Sequence, residues 1–394
     1  MSDREAKKSR NSPPQSGSSL GKLFSVGFLG LAVYVGVALK SSYDIYDVRP
    51  FPDLPTLPLT GGLAPNDRLQ KSEILLKGKI VGPESIIVEG NKIFTGTHDG
   101  KIVEVTNGEI TKEFILNPFC KNPTSKDCFR PLGMRRLNSK EFIVADAYQG
   151  LYTVNMEDMT LKKILDANIL IEGEPLKFAD DVDVIDEENV ILSDASTRLG
   201  YHETIQEFSE GVPTGRVLHV NIRTKKVTVL TKELNFANGV QLFPDKKSFL
   251  VCETATGRVH RVYLEGEKKG KREVFVDGLP GHADNVRMGN DGTFWVALAM
   301  ARHPDKFNFH QFSKSYPLVR RLLLSLIPHS WIHSLTPQPS FAMVVQVSQT
   351  GEIISSLQDP TGSVIKGVTQ VTDDGGEYLY LGSFYIDYIA RIKK

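Results

Sequence analysis

The chain has 394 residues, 47 basic against 47 acidic side chains, and 40% hydrophobic residues. It is long enough to bury a large core, and its zero formal charge excludes the basic bias that non-specific nucleic-acid binding requires. No nucleic-acid partner is expected.

Residues 1–22 are rich in Ser and Pro and carry Arg4, Lys7, Lys8, Arg10 and Lys22 against Asp3 and Glu5, five basic groups against two acidic, a net +3. Residues 23–39, "LFSVGFLGLAVYVGVAL", hold no charge and are bracketed by Lys22 and Lys40, close to the minimum length for crossing hydrocarbon. Residues 41–68 carry two Arg against four Asp, a net −2, so the positive-inside rule keeps the N-terminus cytoplasmic. Lys40 stands in the way of a small-x-small cleavage site, which predicts an uncleaved signal anchor instead of a removed signal peptide. The expected layout is a cytoplasmic tail over 1–22, a transmembrane segment over 23–39, a linker over 40–70 and a folded domain over 71–394. That describes a single-pass type II protein of the ER or plasma membrane with its domain in the lumen or outside the cell. Disulfides are permitted there, and Cys120 and Cys128 in "NPFCKNPTSKDCFRP" are expected to pair, whereas Cys252 in "FLVCET" reads as a buried strand residue.

From residue 82 the chain repeats itself. Six polar approaches to an apolar alternation, "GPESIIV", "RPLGMRR", "FADDVDV", "FANGVQL", "HADNVRM" and "VIKGVTQ", have as fourth residues Ser85, Gly133, Asp181, Gly239, Asn285 and Gly367, spaced by 48, 48, 58, 46 and 82. Each leads to a turn and a second strand such as "EFIVADA" or "TFWVALA", and third and fourth strands follow in most repeats. Four short strands per period of about this length predict an all-β fold, a six-bladed β-propeller, preceded by the N-terminal transmembrane helix. A β-sandwich offers no reason for the period. The last repeat has no fourth strand, and residues 71–80, "KSEILLKGKI", are expected to supply it and close the ring. Two long insertions, 197–214 and about 299–340, both fall between second and third strands, on the face of the polar approaches, and predict a lid there. Within the second insertion, "YPLVRRLLLSLIPHSWIHSL" (316–335) is expected to be a packed lid helix, with a membrane-facing helix as the rival.

The third residues of the six approaches are Glu84, Leu132, Asp180, Asn238, Asp284 and Lys366. Equivalent positions on inner strands converge on the propeller axis, so Glu84, Asp180, Asn238 and Asp284 should meet, with Asp181 and Asn285 alongside. Carboxylates within a few Å repel by several kcal/mol at intermediate dielectric, and a hard cation cancels that repulsion. Carboxylate and amide oxygens without His or Cys suit Ca²⁺, with Mg²⁺ or Mn²⁺ possible, and argue against zinc. For any single residue the alternative is an Asp or Asn capping a turn before a strand. Lys366 is a rival source of positive charge.

These segments, with "VADAYQGLYTV", "PLKFADDVDV", "LPGHADNVRMGNDGTFWVAL" and "LYLGSF", resemble the strictosidine synthase-like family from about residue 75 to the C-terminus. The resemblance implies a propeller related to paraoxonases and gluconolactonase-type enzymes, with a divalent ion in the channel held by Glu84, Asp180, Asn238 and Asp284. Asp180 departs from the family, which usually has Asn there. True strictosidine synthases carry a catalytic glutamate where this chain has Thr369 or Gln370, so no carboxylate is available to move the proton of that condensation. The resemblance to paraoxonases implies instead hydrolysis of small esters, arylesterase-like, or of lactones. Asn285 would support the ion, and His282 or Asp181 would act as base, with His98 and His202 as further candidates. The alternative is a membrane-tethered propeller that binds a small ligand or a protein partner and uses calcium only to brace its channel.

Overall fold

The computed structural model describes residues 18–52, 56–122, 125–328 and 339–394. Alternating β-branched and aromatic residues between short turns build six four-stranded antiparallel sheets set around an axis. The innermost strands are Ile86–Glu89, Pro131–Arg136, Ala179–Val184, Ala237–Leu242, Gly281–Met288 and Gln370–Asp373. Each packs against the next, and the last packs against the first. The ring closes as predicted: Glu73–Leu75 pairs antiparallel with Ile389–Lys393, Ile74 opposite Ala390, so the N-terminal strand becomes the outermost strand of the sixth blade. The core lies between blades, where side chains such as Leu250, Val259, Val286, Val296 and Val345 interdigitate and are almost wholly buried. Cys120 and Cys128 form a disulfide and Cys252 is a buried free thiol.

Helix α1 spans Ser18–Ile45 and so runs past Leu39, the expected end of the apolar segment. Its Phe24–Ile45 part is long and apolar enough to cross a membrane and is mostly exposed, with Ser42 buried near its end, which makes it a candidate span. The tail expected over 1–22 lies mostly outside the described residues.

Both insertions carry helices. The first carries α2 (Thr204–Glu210); the second carries α3 (Phe309–Lys314) and α4 (Pro317–Leu326). Asn308 caps α3 by accepting from the Gln311 amide at 2.8 Å, and Pro317 opens α4, where a missing N–H costs nothing. The α4 part of 316–335 packs inward through two buried arginines, while 329–338 lies outside the described residues. Arg320 donates to the carbonyls of Ser209 (2.7 Å) and Arg49 (2.6 Å), and Arg321 to those of Ser42 (2.8 Å) and Tyr46 (2.9 Å). Carbonyl oxygens thus satisfy two buried guanidiniums, and α4 clasps α2, the linker and the end of α1 together.

Candidate functional site

The polar residues reach the axis through a repeated backbone irregularity. Register slips between Pro131 and Met134, Ala179 and Val182, Ala237 and Val240, and Ala283 and Val286. At each slip two residues oppose one: Asp180 and Asp181 face Ser193, Asn238 and Gly239 face Cys252, and Asp284 and Asn285 face Ala297. A bulge of this kind re-aims a side chain and takes it out of the ladder. Adjacent bulges nearly touch. A Cβ on Gly133 would stand 2.5 Å from the Asp181 Cα, and one on Gly239 would stand 2.5 Å from the Asn285 Cα, so only glycine fits at these fourth positions.

Register in the sixth blade differs from the sequence expectation. Val371 pairs with Leu381 and Gln370 with Gly382, and the Asn285 amide bonds the Thr369 carbonyl at 3.0 Å. The third and fourth positions are therefore Thr369 and Gln370. Lys366 and Gly367 lie earlier in the approach, and Lys366 is exposed to solvent, so it does not fill the hub.

Glu84, Asp180, Asn238, Asp284 and Thr369 are each at most 5% exposed. Asp180 Oδ1, Asn238 Oδ1, Asp284 Oδ1 and Thr369 Oγ1 are buried with no hydrogen-bond partner among the described residues. Unpaired buried oxygens are costly, and here they come from four successive register positions. Burial pushes the Glu84 carboxyl up to about 7, Arg130 opposing it. Burial, then the Glu84 charge, pushes Asp180 and Asp284 well above the usual range; a hydrogen bond from Asn238 opposes this at Asp284. The Glu84 charge thus acts on both Asp180 and Asp284.

The other expected residues are committed elsewhere. Asp181 is wholly buried and holds Arg287 in a two-pronged ion pair, 2.7 and 2.9 Å, while its Oδ2 also accepts the Val240 amide at 2.8 Å. Both oxygens are occupied, which corrects the expectation that Asp181 acts as a base. Asn285 Oδ1 accepts from Arg287 Nη2 at 3.2 Å, as does Gln370 Oε1 at 2.5 Å, so Asn285 belongs to this network and not to the unpaired set. Arg130 places Nη2 at 3.5 Å from Glu84 Oε2. Glu84, Asp180, Asp181 and Asp284 outnumber Arg130 and Arg287 by two, so full ionisation, which burial opposes, would leave a net charge of −2. That excess matches one divalent cation, and unpaired carboxylate, amide and hydroxyl oxygens are the donors such an ion takes. Among the described residues no three His, Cys, Asp or Glu side chains form a metal-holding group by themselves, so an ion here depends on Asn238 and on inward adjustment of the carboxylates.

Sequence reasoning missed two supports. The second strands of three blades end in a buried carboxylate that accepts an amide of the polar approach: Asp146 from Arg130 N (2.7 Å), Asp194 from Phe178 N (3.0 Å) and Glu253 from Asn235 N (2.8 Å). Its signal was present in "VADA", "LSDA" and "VCET". Tyr385 was also missed. Burial, then the Asp284 charge, pushes its phenol above the usual range, so its proton is retained beside the hub.

The histidines belong to the lid. His282 stacks on Phe208 (5.2 Å) and meets His310 edge-on (4.6 Å). Burial, then His310, Lys314 and Arg302, push it well below its usual value, so it is neutral at pH 7 and faces the lid. His202 stacks on Tyr148 at 4.9 Å, and burial holds His98 down at about 4. On α2, Glu207 accepts from Ser196 Oγ (3.0 Å) and Thr214 Oγ1 (3.1 Å), yet burial raises it from its ordinary 4.5 to about 7. A carboxyl raised in the folded state contributes stability that is complete below 4.5 and lost as pH rises through about 7. Hydrogen exchange in α2, corrected for intrinsic chemistry, is accordingly expected to be faster at pH 8 than at pH 6. Glu207→Gln should remove the difference.

Comparison with known proteins agrees with this architecture. Models of strictosidine synthase and of the strictosidine synthase-like N-terminal segment match residues 180–267 and 61–105. The adipocyte plasma membrane-associated protein of Gallus gallus is 38% identical over 378 residues, covering 94% of this chain and 90% of that protein. The chain belongs to the strictosidine synthase-like family. Among solved structures, a gluconolactonase from Xanthomonas campestris (TM-score 0.53, 11% identity, 88% of this chain and 96% of that one) shares the fold of this strictosidine synthase-like protein. So does a calcium-binding protein, regucalcin, from Agrobacterium tumefaciens (TM-score 0.52, 14% identity, 81% and 92%).

Proposed function

We propose that the protein is a membrane-anchored hydrolase of esters or lactones that works with a divalent cation, Ca²⁺ first among the candidates, held by Glu84, Asp180, Asn238 and Asp284. The observation that carries this reading is the set of buried, unpartnered oxygens at the hub, surrounded by two more carboxyls than arginines. The fold shared with a gluconolactonase and a calcium-binding protein supports it, and the plasma membrane-associated relative supports anchoring through α1. In this reading the chain is type II, and the propeller lies on the lumenal or outer side of the ER or plasma membrane.

Bound at these oxygens, such a cation supplies a positive charge that polarises a substrate carbonyl. The residues contribute the rest. Tyr385 keeps its proton beside the hub carboxylates and donates it as a hydrogen bond to developing negative charge. His282, neutral and stacked on Phe208, walls the lid side of the site. Arg287 and Asp181 tie the bulged strands of the third and fifth blades together and take no part in the chemistry. The aromatic lid of Phe208, His282 and His310 limits the entrance of bulk water.

The test is metal analysis of the purified full-length protein combined with an aryl-acetate and lactone panel before and after chelation. About one divalent ion per chain is expected, with hydrolysis lost on chelation and restored by Ca²⁺. Undiminished turnover after complete metal removal would sink the proposal. A second reading, a binding propeller with structural calcium, is favoured by one observation: Asp181 is committed to Arg287 and His282 faces the lid, so no free base points into the hub.

A further inference from the structure

Beside the lid, a cavity of about 470 Å³ lies between the linker and the loop leading into α3. Leu57, Leu59 and Pro280 form one wall, and Phe307 and Phe312, 75% and 45% exposed, stand at its rim. A narrow void bordered by Arg302, Asn308 and Gln311 continues inward to Lys314, His310 and His282. Apolar walls thus meet cationic side chains, Arg302 and Lys306 in the outer part and Arg302 and Lys314 in the inner.

The cations are unbalanced. Among the described residues neither Arg302 nor Lys314 forms an ion pair or a side-chain hydrogen bond; Lys314 Nζ has only the Phe51 ring, 5.7 Å away. Burial, then Arg302, pushes Lys314 down to about 8, opposed by Glu253. Glu253 is already engaged by His260 (2.8 Å) and by the Asn235 amide (2.8 Å). Two partly buried like charges without a counter-ion repel, and an anion between them removes that cost through charge-assisted hydrogen bonds. The linker residues that wall the cavity, Leu57 and Leu59, lie on the segment that follows α1.

We propose that this cavity binds an amphiphilic anion, a carboxylate or phosphate monoester on an apolar chain, with its head on Arg302 and Lys314 and its chain along Leu57, Leu59, Phe307 and Phe312. The site stands apart from the hub, and its occupancy does not require hydrolysis.

The test is equilibrium binding of octanoate, octyl phosphate, octanol and inorganic phosphate to the full-length protein in neutral detergent. Octanoate or octyl phosphate is expected to bind at least about tenfold more tightly than octanol. A preference between the two identifies the head group. The Arg302→Gln/Lys314→Gln protein should lose the preference over octanol, and Phe307→Ser/Phe312→Ser should weaken all three octyl ligands. Equal binding of octanol and octanoate, or inorganic phosphate binding as tightly as octyl phosphate, overturns the proposal. That comparison is made on the unaltered chain, so it holds even where a variant fails to fold. Asp284→Ala should bind octanoate like the parent protein, which separates this site from the hydrolase reading.

Discussion

The Asp284→Ala protein is expected to remain folded and to hydrolyse aryl acetates at least about 100-fold more slowly at saturating Ca²⁺, since removing even a supporting group around a metal costs about 10- to 100-fold. The reasoning is local. Asp284 sits in a bulge, so its side chain lies outside the strand ladder, and its Oδ1 has no partner whose loss would unsettle the fold. Its removal also relieves part of the repulsion that raises Asp180. In the presence of chelator, the thermal midpoint should therefore be unchanged or higher than that of the parent. Loss of activity without loss of the fold would assign the hub to chemistry or to the ion it depends on. Equal esterase rates would instead favour the binding propeller.

Arg287→Met is expected to destabilise the protein by about 3–5 kcal/mol, the usual consequence of stranding one partner of a buried ion pair. Arg287 is 6% exposed and joins three blades: it grips both oxygens of Asp181, then Asn285 and Gln370. Methionine fills similar volume but leaves the Asp181 carboxylate, 0% exposed, with the Val240 amide and the more distant Arg135 at 4.0 Å. Arg287→Lys should lose less but still measurably, since one ammonium cannot reproduce the fork that meets both oxygens and the Gln370 carbonyl. Denaturant midpoints of the three proteins check this, and a methionine variant within about 1 kcal/mol of the parent contradicts it.

The same residues show what was readable in advance. Blade number, ring closure by residues 73–75 and the placing of both insertions on one face follow from strand alternation and turn residues, which are local in the chain. The convergence of Glu84, Asp180, Asn238 and Asp284 was readable because one offset recurs from repeat to repeat. In the last repeat that logic failed. Lys366 and Gly367 imitate the polar-residue-then-glycine form, but the pairing of Gln370–Asp373 with Tyr378–Gly382 puts Thr369 at the axis. A second polar layer was also in the sequence, two residues beyond the bulges: Arg135, Asp183, Gln241 and Arg287 recur at one offset. Asp183 accepts from Arg135 Nε at 3.3 Å and from Gln241 Nε2 at 3.0 Å, a belt that holds the inner strands in register beneath the hub.

By itself the amino-acid order determined the repeating architecture, the apolar N-terminal helix and the oxygen-rich positions, because each depends on neighbours within one strand or turn. Only the tertiary structure decided which oxygens remain unpaired, which are tied to arginine, and that the lid is clasped to the end of α1. Those outcomes depend on distances between groups far apart in the chain, 59 positions for Asp181 and Val240 and 279 for Ser42 and Arg321, which sequence spacing does not encode.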